Sequence, residues 1–298
     1  MQLKEKFPDW KQIRFDETAV VLFLAILYVP LLLQWVHGWV FKSISIEHEY
    51  FSHGLLGIPL AVYIAWEKRD KWMKLPDRGS VWGAVLFGVA GVFYLSGLWD
   101  LVNLSFPIML AGLCLWFKGF SGWRLLWFPW LLLFLATPND IPYLIATYIL
   151  PLQKFIAATA GFILGLIGLN VNVDQIYLFV GGKTVEVAPH CAGLKMLFTT
   201  IYVALILLYW TNNLKSKKIS LTFLAAAIAI SVGTNIVRNA LLTYFHGTGR
   251  EGMFHWLHAS WGGDMMSATM LVLLIPALLI IEKLSDAFTG VPVEGEGA

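Results

Sequence analysis

Nine apolar runs, at about 18–40, 51–66, 80–98, 101–117, 124–138, 142–169, 191–211, 219–245 and 264–282, occupy most of the 298 residues. About 20 apolar residues in a helix cross the ~30 Å hydrocarbon core of a bilayer, and only closed hydrogen-bonding structures survive there. Runs of this length and number therefore restrict the chain to a bundle of membrane helices. Composition agrees, with 13% charged residues against about 25% in soluble domains. A soluble enzyme and a disordered chain are excluded. A disulfide scaffold is excluded as well, because Cys114 and Cys191 are the only cysteines. The net charge of +2, with no basic cluster interleaved with aromatics, gives no sign of nucleic-acid binding. The fold expected is an all-α polytopic membrane protein partnered by the lipid bilayer. Residues 1–17 form a cytoplasmic N-terminal segment, 18–282 the transmembrane domain and 283–298 a cytoplasmic tail. The N-terminal segment does not read as a cleaved signal, because it is polar and carries Lys4, Lys6, Lys11 and Arg14 ahead of the first run.

Charge sets the topology, since cytoplasmic loops accumulate Lys and Arg. Alternating the first five runs places Lys4 to Arg14, Lys68 to Arg78, and Lys118 with Arg124 on one side. Bringing Lys215 to Lys218 to that side requires 139–190 to begin and end on the other. The run at 142–169, interrupted by Pro142 and Pro151 and carrying Gln153 and Lys154, is then a re-entrant or interfacial pair of short helices broken at Pro151. Eight true spans remain, both termini are inside, and 15 of the 21 Lys and Arg residues face the cytoplasm.

The same topology puts all seven histidines (His37, His48, His53, His190, His246, His255 and His258) on the outer side or at outer helix ends. Acid–base chemistry near neutral pH belongs there. Within 174–188, two alternating runs flank Gly181-Gly182, the spacing of a two-residue turn, so a small outer β-hairpin is expected. It delivers the chain to Pro189-His190-Cys191. A cysteine in the first turn of a helix is pushed towards thiolate by unpaired N–H groups, and Lys195, four residues on, adds a cation on the same face. Cys114, inside Leu-Cys-Leu-Trp, reads as a buried small hydrophobe.

Arg238 lies in an otherwise apolar run, near one stripe with Ser231, Asn235 and Thr243, and with Thr234 and Asn239 adjoining. That stripe is expected to face the bundle, and an ionised group inside a membrane helix is a functional candidate. Eighteen residues from Ser220 raise Arg238 by about 27 Å, and 20 residues from Thr211 raise Cys191 by about 30 Å, so both reach the same outer boundary. His258 precedes the last run by a few residues and can descend onto them, with His255 competing one turn away. A thiol, an imidazole and a guanidinium at one interface suit acyl transfer.

Those residues resemble the exosortase/archaeosortase membrane transpeptidases. That family shows a Cys-small-Gly motif opening one span, an Arg near the outer end of the next, and a His followed four residues later by Gly before the last. The corresponding residues are Cys191-Ala192-Gly193, Arg238 in Asn235-Ile-Val-Arg-Asn239, and His258-Ala-Ser-Trp-Gly262; Tyr50-Phe-Ser-His-Gly54 is similar to the family's early Ser-His-Gly stretch. The resemblance extends over roughly 50–280. It implies a cysteine protease/transpeptidase that works through a thioester acyl-enzyme and needs no cofactor. The substrates implied are membrane-anchored proteins with C-terminal sorting tails of the PEP-CTERM kind, made of a short motif, a transmembrane helix and a basic tail. Carried over residue by residue, Cys191 is the nucleophile, Arg238 the sortase-like arginine and His258 the acid/base, with Lys195, Asn235, His53 and His255 supporting. Ala192 stands where Ser or Thr is usual, which removes a hydroxyl from that position. The resemblance also implies a bacterial inner membrane with the site on its periplasmic side, and leans towards a cyanobacterial subtype. Two other classes compete. A transporter or channel would use Arg238 and the broken segment at Pro151, but predicts inverted repeats that the two halves do not show. A metal or haem protein would use His255, His258, His190 and Cys191 as ligands.

Overall fold

The structure, a computed structural model, describes residues 14–41, 50–146, 148–188 and 193–289. His190 and Cys191 lie outside the described residues, as do His48, most of the N-terminal segment and the end of the tail. The described chain is mostly helical with one small sheet. It forms two compact units, one of Met1–Glu49 and Leu55–Pro138, the other of Tyr50–Gly54 and Asn139–Ala298.

In the first unit lie α1 (Arg14–Phe41), α2 (Gly54–Glu67), α3 (Arg69–Met73), α4 (Val81–Leu95) and α5 (Trp99–Ala136). Helix α5 covers two of the expected spans and is broken at Gly119, whose φ of 57° and ψ of −154° leave the helical region. The break reverses the chain. Trp130 Nε1 donates to Pro107 O at 2.9 Å, and along a straight helix those residues would stand about 34 Å apart. The loop expected at 118–123 thus shrinks to one glycine, pressed so closely on the Arg78 carbonyl that a Cβ would lie 2.4 Å from the oxygen. Helix α4 lies close against α5 for a similar reason, since a Cβ on Gly83 would meet the Trp116 backbone at 2.6 Å. Small residues let backbones approach where lipid offers no hydrophobic drive. Polar pairs join α1 to α5, Tyr28 to Ser105 at 2.9 Å and Trp35 Nε1 to Asn103 Oδ1 at 2.7 Å.

The second unit holds α6 (Ile141–Ala146), α7 (Leu150–Leu166), β1 (Val171–Asp174), β2 (Tyr177–Val180), β3 (Lys183–Glu186), α8 (Leu194–Trp210), α9 (Lys217–Gly247), α10 (Glu251–Ala259) and α11 (Trp261–Thr289). The run at 142–169 is indeed two helices, with Pro151 in the opening turn of the second, where its missing N–H costs nothing. Helices α8, α9 and α11 share a core of Ala204, Leu208, Phe223, Ala227, Leu274 and Leu278. Val272, Ile275, Leu279 and Ile280 of α11 stay exposed, as lipid-facing residues should.

Every expected run contains helix, but length separates them. Four helices are long and apolar enough to cross a bilayer: Leu22–Phe41, Trp99–Ala136, Lys217–Gly247 and Trp261–Ala287. Helices α2, α4, α7 and α8 are apolar but have 14 to 17 residues, about 21–26 Å. The chain is a multi-pass membrane protein, and the figure of eight spans is not fixed by these lengths. Two local expectations change. The hairpin is two strands of a three-stranded antiparallel sheet, β1-β2-β3. Helix α8 begins at Leu194 rather than Cys191, because Gly193 sits at φ 78°, ψ 20°. Cys191, expected in that first turn with Lys195 on the same face, lies outside the described residues.

Candidate active site

The sheet is built to hand the chain to α8. Gly181 and Gly182, at φ 56° and 74°, make the two-residue turn that suits the twist of a hairpin. Beyond β3, Val187 is fully buried and held twice. Its N–H donates to Ile176 O at 2.9 Å, and its carbonyl accepts from Gln153 Nε2 of α7 at 2.8 Å. Residues 189–192 then connect this clamp to Gly193. Gly193 is fixed from the other side, since a Cβ there would fall 2.7 Å from Asn235 Cγ and 2.8 Å from its Nδ2. The glycine of the Cys-Ala-Gly motif is thus required by its left-handed backbone and by Asn235. Cys191 stands two residues upstream in the sequence, outside the described residues.

Along α9 the polar stripe does point inward. Ser231, Asn235, Asn239 and Thr243 are all buried, while Arg238 is half-buried. The Asn235 amide and Arg238 Nε are buried without a hydrogen-bond partner among the described residues. Groups of this kind cost about 1–3 kcal/mol each when left unpaired, which marks them as retained for something other than folding. Arg238 also approaches the residue that follows the third motif, since its Nη2 lies 4.0 Å from where a Gly263 Cβ would be. Gly262 explains the last motif position, since a Cβ there would stand 2.8 Å from Leu257 Cα and 2.7 Å from the Trp256 ring. The turn from α10 into α11 closes only with glycine there.

The remaining predicted residues fall as follows. Lys195 is half-buried in the first turn of α8. His258 closes α10, is exposed, and stacks on Phe254 at 5.4 Å and 10°. His255 is exposed three residues earlier on the same helix. His53 is buried against Tyr202 at 4.4 Å. Tyr202 is about 10 Å along α8 from Lys195, so His53, directly ahead of α2, packs beside the middle of α8 and apart from the Gly193–Asn235 contact. The structure therefore joins Asn235 to Gly193 of the first motif and Arg238 to Gly263, next to the last motif, while His53 sits further along α8.

Several residues around the site were not singled out by sequence. Gln153 served only as a sign that 142–169 is no ordinary span, yet it clamps the strand leading to Cys191. Lys183 and Glu251 form an ion pair, and the other Glu251 oxygen lies 3.2 Å from His246 Nδ1. Lys183 first, and His246 with it, hold the Glu251 carboxyl below its ordinary pKa, partly offset by desolvation. Among the described residues, no group of three or more His, Cys, Asp or Glu side chains is placed to hold a metal ion.

Gly193→Ala carries a sharp expectation. The added methyl strains a positive φ by about 1–2 kcal/mol and collides with a buried amide that has no free side to move into. Thermal melting of the purified variant should fall by several degrees, and processing of any substrate should fall with it. A variant with wild-type melting and turnover overturns the account of this glycine.

Comparison with known proteins gives the chain a family. A family model described as transmembrane exosortase matches residues 35–275. No curated protein and no solved structure matches the chain. The matched stretch contains all three motif segments, which lie in the second unit, and covers most of the 298 residues. The chain belongs to the exosortase family of transmembrane proteins.

Proposed function

We propose that this exosortase is a membrane-embedded cysteine transpeptidase that cleaves C-terminal sorting signals, of the PEP-CTERM kind, from exported proteins. Membership of the family supports a transpeptidase role in general. The observation that carries the finer reading is the contact of Gly193 with Asn235, one turn from Arg238, together with the approach of Gly263 to the Arg238 guanidinium. Segments far apart in the chain thereby meet on one turn of α9.

The Cys191 thiolate attacks the scissile carbonyl, forming a C–S bond and an oxyanion that Arg238 stabilises. His258, as imidazolium, gives its proton to the departing amine as the C–N bond breaks, leaving a thioester on Cys191. Water or an amine on an acceptor then attacks the thioester. His258 takes the attacker's proton, and Cys191 leaves as thiolate. Asn235 and Lys195 line the approach, His255 flanks His258, and His53 braces α8. The protein lies in a bacterial inner membrane as eight spans with 142–169 re-entrant, and its site opens to the periplasm, where a substrate helix in the same bilayer presents its cleavage motif. No cofactor takes part.

Incubating the protein with a substrate bearing an intact sorting tail, then quenching in acid, should give a Cys191 adduct with the mass of the upstream product by mass spectrometry. An adduct on another residue, or turnover that no Cys191 alkylation blocks, rejects the reading.

A further inference from the structure

One carboxylate ties together the two segments on which the proposed chemistry depends. Glu251 opens α10, and its oxygens reach in two directions, to Lys183 at the start of β3 and to His246 in the last turn of α9. The hairpin is seated at the same place by shape, since a Cβ on Gly181 would lie 2.2 Å from the Gly247 carbonyl oxygen. The corner from α9 into α10 is fixed by its backbone, where Arg250 N–H donates to Phe245 O and Gly249 N–H to His246 O around Gly249 at φ 74°. That pattern is the closed C-terminal cap in which glycine takes the left-handed position.

From the Glu251 cluster, two routes lead onward. Strand β3 runs through the clamped Val187 towards Cys191. Along α10, residues 251, 254, 255 and 258 share one face, and Phe254 stands between the two imidazoles, 4.8 Å from the His246 ring and 5.4 Å from the His258 ring. The side chains of Lys183, Glu251 and His246 are 36%, 53% and 26% exposed. Ion pairs this open contribute little to folding, so the cluster is better suited to setting the angle of a short helix than to holding the protein together.

We propose that Glu251, braced by Lys183 and His246, is a positioning residue that holds α10 so that His258 faces the leaving amine. This rests on the reading of His258 as the acid that protonates that amine. Glu251 touches neither substrate nor thiol. Its effect passes through α10 and the Phe254 stack.

The test uses the full-length protein in lipid vesicles with a substrate carrying its sorting tail, beside a second substrate whose scissile amide is replaced by a nitrophenyl ester. The ester's leaving group departs without a proton, so it does not need His258 as acid. Glu251→Gln is expected to lower kcat on the amide by about three- to tenfold, the scale for a partly exposed ion-pair network. KM should stay within about twofold, as should the burst of nitrophenolate release from the ester, which reports acylation alone, and the rate of Cys191 alkylation by iodoacetamide. Glu251→Asp should restore more than half of the amide kcat, and Lys183→Gln should repeat the loss in part. Equal losses in amide turnover and in the ester burst, or undiminished amide turnover in Glu251→Gln, overturn the assignment. Cys191→Ala is run alongside. If it still processes the amide substrate, the transpeptidase reading itself has failed. If it does not, an undiminished Glu251→Gln rejects the positioning role alone.

Discussion

Replacing Cys191 by Ala is expected to abolish processing, with turnover of a co-expressed tail-anchored substrate falling by roughly 10⁴-fold or more, the scale seen when a covalent nucleophile is removed. Among the described residues the remaining thiol is Cys114, which lies within the broken helix α5 of the other unit. Cys191→Ser should be nearly as inactive, because a serine hydroxyl at neutral pH lacks the thiolate's nucleophilicity unless a strong base adjoins it. Folding should not suffer, since neither side chain fills a larger space than cysteine. The measurement is the ratio of uncut to cut substrate on a gel, with expression and melting temperature as controls. Cleavage at the wild-type level in Cys191→Ala sinks the nucleophile assignment.

Arg238→Lys should cost about 10²- to 10³-fold in kcat, the range found when one oxyanion donor is lost. Charge is conserved in that substitution, and the loss comes from shape. Arginine offers a planar fork of five donors on a stem that reaches the start of α11, whereas lysine offers a point charge without an Nε–H. Arg238 Nε is already buried with no hydrogen-bond partner among the described residues, so the donor exists without a structural task. The neighbouring Ser231, Asn235 and Asn239 remain buried whichever residue stands at 238. Melting should change little and kcat much, with KM moving less than kcat. Turnover of Arg238→Lys within a few-fold of wild type would reduce Arg238 to an anchor in the outer interface.

The sequence conveyed some features well because they depend on neighbours in the chain. Apolar runs of membrane length became helices, Gly181-Gly182 became the expected turn, and Pro151 marked the start of a helix. Strand β1 was missed for an equally local reason. Val171-Asn-Val-Asp174 is short, and the turn after it places Gln175 at φ 58°, where no glycine announces the reversal. The start of α8 was misplaced by three residues because an apolar stretch running through Ala192 and Gly193 conceals a left-handed glycine. Gly119 likewise looked like one residue of a loop, yet alone turns α5 back on itself.

The candidate site divides along the same line. That Arg238 shares a stripe with Ser231 and Asn235 follows from helical periodicity, and their burial agrees with it. Which segments meet that stripe does not follow from periodicity at all. Gln153 reaching Val187, Lys183 pairing with Glu251 and His53 packing midway along α8 are contacts between residues 34, 68 and 149 positions apart in the chain. The sequence by itself determined a bundle of membrane helices and the motifs that resemble the family, because hydropathy and spacing act over one or a few turns. Only the tertiary structure decided that Gly193 bears on Asn235 and that Gly263, beside the last motif, approaches Arg238. Whether two backbones can close to within a methyl group of each other depends on every intervening helix, and no stretch of sequence encodes that distance alone.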